Sequence, residues 1–151
     1  MTTIQRIAQV SGWIFVLIAV WGAAVTGLSM EADPRIADRL WGLFPINFPH
    51  NLVHLMIGMW GIMAARSYTG ARSYAVLAGA LYIVLALIGV FFPAGFGLVP
   101  LGGSDIWLHV VLGATLLVAG LTLTARTGAD TVEPAGTRTV TPPPTDPDST
   151  P

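Results

Sequence analysis

Long stretches without a charged side chain alternate along the chain with short clusters of arginine and acid; the uncharged stretches are 7–30, 40–65, 73–104 and 106–125. A membrane-crossing helix needs about 20 apolar residues at about 1.5 Å rise each, so every stretch is long enough to supply one. Prolines trim the longer stretches. Pro45 and Pro49 suit a loop and a first helical turn, while Pro93 and Pro100 bracket a Gly-rich connection. The pattern predicts four helices, at about 9–29, 48–65, 73–92 and 105–125.

Each predicted helix also carries one seam of small residues at spacings of three and four, the mark of a contact face where lipid supplies no hydrophobic drive. The seams are Gly12, Ala19, Gly22 and Thr26 on the first helix, His54, Gly58, Gly61 and Ala65 on the second, Ala75, Gly79, Tyr82, Ala86 and Gly89 on the third, and His109, Gly113 and Gly120 on the fourth. Short connections favour antiparallel neighbours. The expected fold is all-α and integral to the membrane: an antiparallel up-down-up-down four-helix transmembrane bundle. No internal repeat suggests an inverted-repeat transporter.

Composition strengthens this reading: 54% of the 151 residues are hydrophobic and 10% charged, with a mean hydropathy of +0.71. A soluble domain carries about 25% charged residues, so this chain has too few to cover a water-facing surface. Residues 127–151 break the pattern, with four apolar side chains among seven threonines and six prolines. The expected organisation is a transmembrane domain over residues 1–126 and a disordered Thr/Pro-rich cytoplasmic tail over 127–151. Its run Pro142–Pro144 has polyproline character, although a solubilising role accounts for such a tail without any partner.

Charge adds an orientation. Arg6, Arg66, Arg72 and Arg126 fall on one side of four crossings, and Arg35 and Arg39 on the other, where Glu31, Asp33 and Asp38 offset them. The positive-inside rule makes the first side cytoplasmic, so the expected location is a bacterial inner membrane with both termini inside. The first segment reads as a retained span, since its apolar run is long for a signal peptide and no A-x-A site follows. Phe44, Phe48, Phe91, Phe92, Phe96 and Trp107 collect at the outer boundary and Trp13, Tyr68 and Tyr74 toward the inner one, as interfacial anchors do. The lipid bilayer is the expected partner, with a membrane protein or a second copy as further possibilities. No basic patch supports nucleic-acid binding.

The chain has no cysteine, which excludes disulfides, thiolate catalysis and cysteine-ligated metal. Its candidate chemistry lies in a few polar residues inside the spans. His54 and His109 head the small-residue faces of the second and fourth helices, about five residues below their outer ends. Ionisable groups in spans face the bundle interior, so both point inward at a shared depth. His50 and Asn51 share a face with His54, and Asp105 shares one with His109. Asp105 also lies in a first helical turn, where the dipole favours a carboxylate and Ser104 is placed to cap the free amides.

Asn51-Leu52-Val53-His54-Leu55 with Gly58, then Tyr82 and Gly89, then Asp105-Ile106-Trp107-Leu108-His109 with Gly113 resemble the N-x-x-H-L…G and D-x-x-L-H…G pattern of a family of small actinobacterial-type membrane proteins, domain of unknown function 4383. The resemblance covers about residues 5–125. It implies the four-span fold and the importance of Asn51, His54, Asp105 and His109, and it implies no chemistry.

Four readings of the cluster stand. In the first, favoured because buried polar residues in spans need partners, His54 and Asn51 reach Asp105 and His109 as a hydrogen-bonded clamp between helices two and four. In the second, His54 and His109 hold a haem, with Met56 and Met59 as less well placed ligands. In the third, His50, His54, Asp105 and His109 ligate zinc or another divalent ion. In the fourth, a proton or solute path continues inward through Tyr82. The clamp needs no cofactor. No Ser/His/carboxylate set is present, and the outer-loop glycines Gly95, Gly97, Gly102 and Gly103 have no lysine beside them to engage phosphate, so an accessory or interaction module is expected rather than an enzyme.

Overall fold

The computed structural model describes residues 1–123, so the tail predicted over 127–151 lies outside the described residues. The described chain runs α1 (Thr3–Thr26), β1 (Arg39–Leu40), β2 (Phe44–Pro45), α2 (Phe48–Ala64), α3 (Tyr68–Phe91), α4 (Gly95–Leu98) and α5 (Ser104–Thr122). It is almost wholly helical, and α1, α3 and α5 are long and apolar enough to cross a membrane. At 17 residues α2 stands at the short limit of a span.

Two helices begin earlier than the charge pattern predicts, and each has a local cause. Thr2 and Gln5 form a capping box: the Gln5 amide donates to Thr2 Oγ1 and the Thr2 amide donates to Gln5 Oε1 at 2.9 Å, which starts α1 at Thr3 rather than near residue 9. Ser67 Oγ accepts from the Gly70 amide and starts α3 at Tyr68, five residues before the expected 73. The charge that trimmed the expected span, Arg72, lies inside α3. Its Nε donates at 3.0 Å to the Gly120 carbonyl in the last turn of α5, where a cation meets free carbonyls. Ser104 does not cap α5. Gly103 occupies the cap position, and the Ser104 hydroxyl donates to the Leu43 carbonyl across the connections.

The helices pack as two close antiparallel pairs. Gly12 of α1 faces Gly58 of α2 so closely that a Cβ at Gly12 would lie 2.8 Å from the Gly58 carbonyl oxygen. Gly79 of α3 and Gly113 of α5 meet in the same way at 2.9 Å. Further along these seams Gly22 abuts the Asn51 side chain, Gly61 the Tyr74 ring, Gly89 the Leu101 carbonyl and Gly120 the backbone of Val76. Backbones this close gain dispersion contacts along the whole helix, which is how small residues drive association in lipid. A layer of Phe15, Ala75, Ala78, Tyr82 and Leu116 joins the pairs. Tyr74 belongs to this core rather than to the interfacial belt. It is fully buried, with Ser11 Oγ donating to its hydroxyl at 3.3 Å and Trp60 packed edge-on at 5.1 Å. Trp13, Phe91, Phe92, Phe96 and Trp107 stay exposed.

The two long connections gather at one end. Residues 39–45 form a small hairpin, closed by the Leu43 amide donating to the Leu40 carbonyl, with Trp41 at φ 50° and Gly42 at φ 72° as a primed turn requires. Asn47 ties the connections together. Its Oδ1 accepts from the His50 amide as the N-cap of α2, while its Nδ2 donates to the Leu98 carbonyl at 2.8 Å. Leu40, Ile46 and Leu101 are buried beneath this cap, which closes over the ends of α2 and α5.

Candidate functional site

Under the cap, five aromatic side chains from four helices form a closed ring. His50 and His54 are one helical turn apart on α2, with ring centroids at 4.5 Å. His54 stacks on Phe15 of α1 at 5.7 Å, Phe15 on Tyr82 of α3 at 5.5 Å, and Tyr82 lies against His109 of α5 at 5.1 Å. His109 returns to His50 at 6.1 Å. All five are buried.

Asp105 completes the cluster one turn before His109, its Oδ2 3.4 Å from His109 Nδ1 and both side chains almost fully enclosed. Ligand atoms of His50, Asp105 and His109 lie within 4.8 Å of one another. His50 Nδ1, His54 Nδ1, Tyr82 Oη, Asp105 Oδ2 and His109 Nδ1 are buried without a hydrogen-bond partner. One such group costs about 1–3 kcal/mol. Several lie together here, so the polar groups of the cluster do not satisfy one another by direct hydrogen bonds.

Asn51 stands apart from this cluster, against the expected clamp. It turns toward α1, donating from Nδ2 to Thr26 Oγ1 at 3.0 Å with its side chain against Gly22. No hydrogen bond joins α2 to Asp105 or His109 among the described residues, and His50 is the histidine that His109 approaches most closely. Adjacent helix positions are about 100° apart, so His50 facing α5 and Asn51 facing α1 are one and the same rotation of α2. Met56 and Met59 point outward and are about half exposed, remote from ligand roles. Tyr82 lies at the inner side of the ring, on the face of α3 expected to extend the cluster inward.

Three further residues contribute whose roles the sequence does not reveal. Asn47 had a signal, an Asx residue directly before a helix with proline in its first turn. Thr26 is legible as the end of the small-residue seam of the first helix but not as the partner of Asn51, and Phe15 has no signal, because a phenylalanine in an apolar run looks like any core residue.

All of these residues lie in a segment, 5–122, that matches the domain of unknown function DUF4383. The chain belongs to that family. No curated protein and no solved structure matches it. The DUF4383 segment contains nearly all of α1 and every residue of the ring, so the cluster is internal to the family's domain rather than an addition to it.

Proposed function

We propose that this DUF4383 member is a four-span protein of a bacterial inner membrane, an accessory module rather than an enzyme, in which a divalent metal ion joins α2 to α5. The observation that carries the reading is the approach of His50, Asp105 and His109, three buried side chains from two helices, each with one buried ligand atom (His50 Nδ1, Asp105 Oδ2 and His109 Nδ1) that makes no hydrogen bond. Two imidazole nitrogens and one carboxylate oxygen suit zinc, with a fourth position left open. The ligand atoms need to close by only about 1 Å to meet bond lengths of about 2.0–2.2 Å. The ion then performs the joining role that the sequence assigns to direct hydrogen bonds. In this reading α2 is the fourth span, its 17 residues packed along α1, and the arginine asymmetry puts both termini in the cytoplasm and the cluster in the outer leaflet.

A haem between His54 and His109 is disfavoured by the stacking of Phe15 and Tyr82 between them, in space a macrocycle would need. The test is metal analysis of the purified protein, followed by chelator stripping and titration with Co2+ as a visible probe. One ion per chain is expected in the wild type, lost in His50→Ala and in His109→Ala and retained in Asn51→Ala. A wild type that takes up no Co2+, or uptake that survives both histidine substitutions, would overturn the assignment.

A further inference from the structure

The two close helix pairs leave one seam open. Between α1 and α5 runs a crevice whose upper part is a cavity of about 190 Å³, walled by Ile14, Ile18, Trp41, Phe44, Leu108 and Leu112. Its polar floor is His54, Asp105 and His109, which are 8%, 2% and 2% exposed. A second cavity of about 340 Å³ continues it toward Thr3 and Arg6, and the two share Ser11, Ile14, Phe15 and Leu112. From Ile18 to Thr3 the crevice follows α1 for about 22 Å at 1.5 Å per residue, the reach of an extended lipid chain.

We propose that this crevice binds one neutral, quinone-type lipid, a planar ring with two carbonyls and an apolar tail. Aromatic rings (Phe15, Trp41, Phe44, His54 and His109) surround the upper cavity, and flat ring faces favour a flat head. The wall of that cavity contains no arginine or lysine, so its own side chains offer an anionic head no counter-charge, and the proposed ion on Asp105 and His109 would be the one cation near it. A carbonyl oxygen is instead matched by His54, whose unpartnered Nδ1 donates in the tautomer that carries its proton there. The tail then lies in the lower cavity, whose wall is apolar except for Thr3, Arg6, Ser11 and Thr115. The inference is one of binding and includes no electron transfer. It stands on the crevice and on His54, which the proposed ion does not use, so it survives if the metal assignment fails.

The test uses the full chain in phosphatidylcholine nanodiscs and a decyl-benzoquinone carrying a photoreactive diazirine in its tail, with cross-links mapped by mass spectrometry and metal content measured in parallel. Labelling is expected on α1 around Ser11–Ile14 and on α5 around Leu112–Thr115, displaced by unlabelled decyl-benzoquinone but not by decanoate or decyl phosphate. His54→Ala should weaken the displacing affinity about tenfold, the loss of one well-placed hydrogen bond in a dry site. Leu108→Trp, which puts bulk into the upper cavity from its wall, should abolish the labelling. Labels spread evenly over lipid-facing positions such as Leu87 and Val118, or equal displacement by decanoate or decyl phosphate, would overturn the proposal.

Discussion

The seam between α3 and α5 and the seam between α1 and α5 face the same bilayer, yet one is closed backbone to backbone and the other gapes. The first brings Gly79 against Gly113, whereas the second sets Ile14 and Ile18 opposite Leu108 and Leu112. In lipid, burial of apolar side chains gives no net drive, so helices join where small residues let backbones approach and stay apart where branched chains intervene. Each helix has one such face. α1 uses Gly12 and Gly22 on α2, and α5 uses Gly113 and Gly120 on α3, so neither has a small-residue face left for the other. The crevice is therefore a consequence of where the glycines are, and the polar cluster lies at its head because His54, Asp105 and His109 line its upper end.

The strongest way to break this comparison is to put bulk into both seams. Gly113→Val should destabilise by about 3 kcal/mol, the upper end for overpacking, because the new Cβ meets the Gly79 carbonyl and a backbone cannot step aside. Leu108→Trp in the crevice should stay within about 0.5 kcal/mol of wild type. Unfolding in a detergent titration measures both, and equal losses would show that the two seams are alike.

A smaller effect is expected at the cap that roofs the crevice. Asn47→Ala removes the N-cap of α2 and the bond to Leu98 together, for about 1–2 kcal/mol, whereas Asn47→Asp keeps the cap and loses only the bridge. If the cap is what orders the upper cavity, hydrogen exchange at Leu40–Leu43 should rise in Asn47→Ala while exchange in α3 is unchanged.

The smallest effect belongs to the exposed connection. The Arg35 guanidinium, hydrogen-bonded to Asp33, together with the Arg35 backbone amide, holds the Asp33 carboxyl down to about 2 from its usual 3.8. A depressed carboxylate contributes stability that is fully present above its unfolded value and lost as pH falls through its folded one, so any contribution fades between about pH 4 and pH 2. The pair is fully solvated, and its effect on unfolding should be near the limit of measurement. Carboxyl NMR titration of Arg35→Ala should return Asp33 toward its usual range, and an unchanged titration would show that the ion pair does not form in solution.

Much of this molecule was legible because it follows from helical period and from the cost of charge in lipid. Four apolar stretches became four long helices, the glycines that recur along them stand at the close approaches, and the motif around His54 and His109 pointed to the family. Helix starts were less legible. Thr2, Gln5 and Ser67 extend α1 and α3 past residues that look like boundaries, and Arg72 inside α3 finds a partner in the end of α5 beside it.

Tertiary structure alone decided the remainder. The sequence places His50, Asn51 and His54 within one turn and a half, but which of them meets α5 depends on how α2 is rotated, and that rotation is set by Gly58 packing on Gly12. The hairpin over 39–45 is too short for a period to announce it, and it is held by the bond from Ser104 to Leu43 and, just beyond its end, by the bond from Asn47 to Leu98, both partners far along the chain. The open crevice is invisible to any local pattern. It is defined by two helices that do not pack, and an absent contact leaves its mark only when every helix has already chosen its neighbour.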